Sequence, residues 1–473
     1  MSKNTNRAIK TGWLESLELI VFILLLIVIA ICSTYKLSLA NTKPVATAAV
    51  THALTPLSSA KIKISLSQAI KRALSNQGNV LKAEHIVAQN TALKKAAYAN
   101  LMPDISIVGG GIWTQMRNGS PLFVSADGMR ELVGQVTLTV PIFDPKSYAI
   151  ISLAKNNLKV VKYRLKLARL VVAAQVAQYF YGLILLKNEV KVKEKAFDSA
   201  KKILTAAKIR YKAGDLPRFD VVQTELIVIK LRTNLEVLKS EVKSLERVFL
   251  TEIFYNNVHN AKLSLHTASS FYYFNYKIPK VDRLIQIALK KQPLIKIAKS
   301  EIQSARADVS VNKAAKLPTI QGGGAYGEDT INSFDGPNLG WQFFVALNIP
   351  IYNFGLHSDY IDAADERLMA LKSAKSAIEL SIKKRLEKDY GLAEASKKGL
   401  HGAKILVKKS GEVFKMTEEG YLVGTFNALE LQEAQNNWVK SRIEFVKAIN
   451  VFYLTIAQLD IDMGIIPSGA GKL

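Results

Sequence analysis

Cysteine is almost missing from this chain: one thiol, Cys32, in 473 residues, so no disulfide can form within it. Six histidines are scattered without metal-ligand spacing, which argues against a zinc module or any other metal centre. Acidic residues are also scarce, with 39 Asp and Glu against 64 Lys and Arg and a formal charge of +25. Apolar residues make up 49% of the chain, too many for a disordered protein. Long apolar runs, by contrast, are confined to the N-terminus, so a helical membrane protein is excluded and any membrane crossing must use strands.

That N-terminal run, Leu19 to Cys32, follows Lys3, Arg7 and Lys10 and precedes Ser38-Leu39-Ala40, a small-x-small site. We expect residues 1–40 to be a secretory signal cleaved after Ala40. Its apolar part is short for a bilayer span, although Leu14 and Leu17 could extend it into an uncleaved anchor. Lipidation of Cys32 is the third possibility, against which Ile31 stands where a small residue is wanted. The excess of lysine is spread along helical segments as a solvated face is, so nucleic acid is not an expected partner.

After an Ala/Thr/Pro-rich linker (41–63), one pattern is stated twice. ISLSQAIKRALSN from Ile64 is answered by PKVDRLIQIALKKQP from Pro279, ANLMPDISIVGGG from Ala99 by AKLPTIQGGGAYG from Ala315, and VTLTVPIFDP from Val136 by VALNIPIYNFG from Val345. Lastly, Tyr211 and Gly214 return as Tyr421 and Gly424. The chain therefore divides into a first repeat (64–255), an irregular aromatic-rich inter-repeat element (256–278), a second repeat (279–463) and a tail (464–473). Each repeat reads as helix, strand, loop, strand, very long helix, tight turn and long helix.

The strands, Ile105–Trp113 with Leu132–Val140 and Thr319–Tyr326 with Trp341–Ile349, alternate apolar and mostly polar positions over about nine to eleven residues. That length crosses a bilayer when tilted, and a soluble sandwich would show the same alternation. Helices separate the two. From Tyr148 to Ala213 there is no proline, which gives a helix of nearly 100 Å at about 1.5 Å per residue, longer than a compact globule needs. Its lower end steps by three and four through Phe197, Ala200, Leu204, Ala207 and Tyr211, and after the turn Val228, Leu231, Leu235, Leu238, Val242, Leu245 and Phe249 keep a 3.5 period. This is an antiparallel coiled-coil hairpin. Two half-length helices, about Val221 to Phe249 and Val281 to Lys316, are expected on either side of the inter-repeat element, so that end to end they match one long partner.

These motifs resemble the TolC-like outer-membrane efflux protein family over about Ile64 to Met463. The resemblance implies an α+β membrane protein of a Gram-negative outer membrane: a homotrimer with a 12-stranded β-barrel, four strands per chain, continued by a helical periplasmic tunnel. It implies a passive exit duct of a tripartite efflux or type I secretion system, partnered by a periplasmic adaptor, an inner-membrane transporter and outer-membrane lipid. The alternative is the adaptor itself, a periplasmic hairpin protein anchored by an uncleaved N-terminal helix; two hairpins and two strand pairs favour the duct. Strand arithmetic agrees with combination, since four strands cannot close a barrel.

The resemblance also implies site residues at the periplasmic mouth. Tyr421 and Asp220 match a hydrogen-bonded latch, while Phe219 and Phe426 stand where the family pattern has a hydroxyl residue and an arginine, so an apolar closure is the other possibility. Glu430 and Glu433 match an acidic pair at the entrance, and Gly214, Leu216, Gly424 and Thr425 resemble the tips on which an adaptor docks. No cofactor and no enzymatic activity are expected. Glycine runs Gly109–Gly111 and Gly322–Gly324 sit inside strands without the GK[ST] ending of a phosphate loop and read as close strand packing, and Gly471-Lys472 lacks the upstream glycine.

Overall fold

The computed structural model describes residues 62–113, 116–117, 120–121, 130–254, 263–265, 278–330 and 340–467. The expected signal, most of the linker, most of the inter-repeat element and the end of the tail lie outside them. In chain order the elements are β1 (Ile62–Ile64), α1 (Leu66–Asn76), α2 (Gly78–Ala99), β2 (Asp104–Trp113), β3 (Met116–Arg117), β4 (Ser120–Pro121) and β5 (Arg130–Phe143). Then follow α3 (Pro145–Lys212), α4 (Arg218–Phe254), β6 (Leu263–Leu265), α5 (Val281–Lys291), α6 (Pro293–Ala314), β7 (Thr319–Thr330), β8 (Gly340–Asn348), α7 (Leu356–Leu422) and α8 (Ala428–Asp462).

Four strands form one antiparallel sheet in the order β2-β5-β7-β8, so β2 and β8 are its edges. Along β8 and just beyond it, Trp341, Phe343, Val345, Leu347 and Ile349 all stand exposed on alternate positions, an apolar face of the kind that meets lipid. Gly323 lies opposite Phe344 in the β7–β8 register, and a methyl group added there would meet the Phe344 ring at 2.7 Å and the Leu138 carbonyl oxygen at 2.3 Å. The second glycine run is thus a close-packing device, as its sequence suggests. In the first run Gly110 faces open space, so crowding is not what a side chain would meet there. β5 continues past Val140 through Pro141 to Phe143, where a register shift accommodates the proline's missing N–H.

Proline also corrects the expected half-length helix. Val281 to Lys316 is two helices, α5 of 11 residues and α6 of 22, broken at Gln292 because Pro293 opens α6 and bars its predecessor from helical geometry. Its counterpart breaks identically: α1 has 11 residues, α2 has 22, and Gln77 stands at the junction. Each junction closes the end of a long hairpin helix. Asn76 Nδ2 donates to the Ile253 carbonyl near the end of α4 at 3.0 Å, and Gln292 Nε2 donates to the Ile461 and Asp462 carbonyls at the end of α8 at 3.2 and 2.9 Å. Helix C-termini leave such carbonyls without intrahelical donors.

Two cores sit where the short helices meet the hairpins. One joins α1, α3 and α4 through Val172, Val176, Leu183, Phe249 and Ile253. The other joins α5, α6, α7 and α8 through Ile382, Leu386, Ala393, Leu459 and Met463. These residues correspond pair by pair at a constant separation of 210, so the duplication extends to the packing. Flanking is not equal, however. α3 packs against α2 and α4 of its own repeat and also against α6 and α8 of the other, whereas the main packing partners of α7 among the described residues are α5, α6 and α8 of its own repeat. α7 carries exposed Leu406, Val413 and Met416, and α4 carries exposed Val222, Leu226 and Ile229.

Candidate functional site at the hairpin tips

Both hairpins reverse direction through the same turn. Gly214 and Gly424 each adopt φ +85°, a left-handed conformation that only glycine takes up without strain. Asp215 N–H then donates to the Arg210 carbonyl at 2.9 Å, and Thr425 N–H to the Gly420 carbonyl at 2.8 Å, closing helix ends with Schellman geometry. Gly214, Gly424 and Thr425 are exposed at these tips. Leu216 is not: it is 8% exposed and tucked beneath its turn, so its apolar side chain serves the hairpin rather than an outer docking surface.

Asn427 starts α8 with a capping box, its side chain accepting from Glu430 N–H at 2.9 Å while the Glu430 carboxylate accepts from Asn427 N–H at 2.8 Å. Glu430 therefore has a structural duty at the helix start, where the macrodipole also favours a negative charge. Glu433, one turn on, is exposed on the same side, and neither carboxylate has a cation within ion-pair distance among the described residues.

Tyr421 is 2% exposed, packed with Phe414, Leu431 and Ala434. Its phenol oxygen is buried without a hydrogen-bond partner in the chain. The latch to Asp220 expected from sequence is therefore not made within one chain. Asp220 lies in the first turn of α4, close enough to be felt electrostatically. Burial pushes the Tyr421 phenol up, the Arg210 guanidinium opposes that, and Asp220 adds to it. Phe426 lays its ring over Gly420, where an added methyl group would meet it at 2.3 Å, while Phe219 is 72% exposed. No ring contact joins the two phenylalanines among the described residues, so an apolar cluster of this pair is not formed within the chain either.

What does hold Tyr421 is a residue the sequence reading passed over. Arg210, at the foot of α3, donates from Nη1 to the Tyr421 carbonyl at 2.9 Å and sets its guanidinium 5.4 Å from the Tyr421 ring centre. A cation is thus placed on the last carbonyls of α7, where the helix end is negative. One signal was present in the sequence: the repeat places Arg210 opposite Gly420, an unequal pair in two otherwise matching turns. Higher up, Gln435 Nε2 of α8 donates to the Ala196 carbonyl of α3 at 3.2 Å, a second tie between the hairpins.

A family model described as outer membrane efflux protein matches residues 69–244 and 284–460, one segment in each repeat. Outer membrane protein OprJ of Pseudomonas aeruginosa is 22% identical over 161 residues, 33% of this chain; the match spans about a third of that relative's own length, 34%. Among solved structures, CusC superposes with a TM-score of 0.73 at 15% identity, over 85% of this chain and 92% of its own. VceC from Vibrio cholerae does so with a TM-score of 0.71 at 14% identity, over 84% and 96%. Two repeats, a four-stranded sheet with an apolar face and two long helical hairpins are thus the α+β fold of TolC-like channels, and this chain belongs to the outer membrane efflux protein family.

Proposed function

We propose that this chain is the outer-membrane exit duct of a tripartite efflux or type I secretion system, a passive channel that three copies close together. The observation that carries this reading is the unequal flanking of equivalent helices. α3 packs against helices of both repeats within the chain, and its counterpart α7 mainly against those of its own. Repeat symmetry supplies the missing neighbour, because α2 and α4 of a second copy would sit on α7 as α6 and α8 sit on α3. The same step carries β8 to a neighbouring β2, relieving two unpaired edges. With four strands each, three chains reach the 12-stranded barrel expected of the family, and the interfaces are head-to-tail and ring-closing.

At the tips, Arg210 would tie the two hairpins of each chain, and threefold symmetry would gather Glu430 and Glu433 into an acidic entrance ring of the kind that selects cations. The exposed turns at Gly214 and at Gly424-Thr425 would meet a periplasmic adaptor, and the adaptor an inner-membrane transporter. Two duplicated hairpins and an apolar-faced sheet support the duct over the adaptor reading.

The test is insertion of purified protein into planar lipid bilayers, together with expression in a Gram-negative strain deleted for its own efflux channel. The duct reading predicts discrete conductance steps and outer-membrane fractionation. A protein that fractionates with the inner membrane and conducts nothing would contradict it.

A further inference from the structure

Between the upper parts of α3, α6 and α7 lies a cleft of about 660 Å³, lined by Lys159 and Tyr163 from α3, Lys299 and Arg306 from α6, and Lys372 and Lys375 from α7. No carboxylate lines it. Two further ammonium groups, Lys166 and Lys296, lie 5.4 and 5.8 Å from the Tyr163 ring centre at its edge. Of the five lining cations only Lys375 has an acidic partner among the described residues, Glu379 at 2.9 Å on its own helix. The nearby acids are engaged elsewhere: Glu301 pairs with Arg164 at 2.7 Å and Asp308 with Arg367 at 3.3 Å.

Lysines along one helix are ordinarily a solvated face. Here three separate helices direct them at one concavity and leave out the counter-charges, and a cleft with low-dielectric walls focuses the resulting field. We propose that this cleft is a binding site for a soluble multivalent oxyanion, a compact polyphosphate or polycarboxylate. Several oxygens would be needed to neutralise it at once, and Arg306 offers a guanidinium fork for a planar pair of them.

Height along the helices separates a soluble anion from a lipid headgroup. Arg306 lies eight residues before the end of α6, and Lys159 fourteen after the start of α3. At 1.5 Å per residue these are about 12 and 21 Å below the sheet end of the helices, beyond a headgroup layer of roughly 5–8 Å. This inference does not rest on the chain being a duct; it concerns a site built within one chain.

The experiment is isothermal titration calorimetry of the full-length protein in neutral detergent at fixed salt, with sodium tripolyphosphate and citrate as probes and acetate as the monovalent control. We expect saturable binding of a multivalent probe, one per chain, and none of acetate. The variant Lys159→Gln/Lys299→Gln/Arg306→Gln should weaken it by at least about tenfold. A charge-matched control on remote helix faces, Lys202→Gln/Lys230→Gln/Lys243→Gln, should change it by less than about twofold. Lys159→Arg/Lys299→Arg, which keeps the charge, should retain binding and guard against misfolding as the cause. Equal losses in the two glutamine variants would assign the affinity to diffuse charge and overturn the proposal, as would the absence of saturable binding to both multivalent probes.

Discussion

Tyr211 and Tyr421 occupy equivalent positions in the two repeats, 210 residues apart, yet Tyr211 is 45% exposed and Tyr421 is 2% exposed. The difference is the neighbour each one has. Arg210 of α3 covers Tyr421 and caps its helix, whereas no cation lies over the Tyr211 ring among the described residues. Gly420 stands where a second arginine would be, so the tie within a chain would have no counterpart at a seam between copies. Arg210→Ala removes a hydrogen bond to a charged donor, worth about 1.5–3 kcal/mol. Tips of this variant should be cleaved faster by trypsin, and its conductance in planar bilayers should rise. Arg210→Lys, which keeps charge without the fork, should fall between the two.

The buried phenol of Tyr421 leads to the opposite outcome. Its oxygen lacks a partner in the chain, so Tyr421→Phe removes an unsatisfied polar atom and should leave thermal stability unchanged within about 0.5 kcal/mol, or raise it. A loss above about 1.5 kcal/mol by calorimetry would mean that the hydroxyl is bonded in the assembly, and Asp220 of a neighbouring copy would be the first partner to test.

Where α8 ends against α5 and α6, two buried carboxyl groups make stability depend on pH. Burial pushes Asp460 up to about 6. Asp462, 2% exposed, is pushed up to about 7 by burial and a hydrogen bond with Asp389, against the pull of Arg385 at 3.5 Å. Both are raised above their unfolded values, so the folded state holds protons that the unfolded chain releases. Their stabilising contribution is complete below the ordinary carboxylate range near pH 4 and is lost as pH rises through 6 to 7. The melting temperature should therefore be lower at pH 7.5 than at pH 5.5. Asp462→Asn should flatten that slope, since an amide cannot titrate.

Selectivity at the mouth should follow Glu433 more cleanly than Glu430. Glu430→Ala breaks a capping box and should cost about 0.5–2 kcal/mol of helix stability in addition to any charge effect. Glu430→Gln keeps the cap's acceptor. The pair Glu430→Gln/Glu433→Gln should lower the cation over anion preference in reversal-potential measurements and weaken block by trivalent cations. If preference and block are unchanged, these carboxylates face away from the lumen.

The duplication was legible in the sequence because turn glycines, strand alternation and the heptad seam are local patterns. Leu235, Leu238 and Phe249, three of the seam positions read from period alone, are buried as expected. The Gln77 and Gln292 junctions are hard to read because a single non-helical residue separates each pair of helices, and only the second carries a proline, Pro293, to mark it. The tip site was less legible. Which side chain meets Tyr421 depends on how one hairpin leans on the other, 211 residues away in sequence, and no local pattern encodes that. Leu216 went inward for the same reason: a turn's sequence sets its backbone, while the packing beneath it decides which side chain is covered.

The central claim is that a second copy covers α7 as α8 covers α3. The Gln435–Ala196 contact between α8 and α3 maps, 210 residues earlier and later, onto Glu225 of one copy and Leu406 of the next. In a Cys32→Ser background, Glu225→Cys combined with Leu406→Cys should form disulfides between copies under mild oxidation. A non-reducing gel should then show dimer and trimer bands that stop at three, with each single variant remaining monomeric. Monomer alone in the paired variant, or a ladder running past three, would contradict the account.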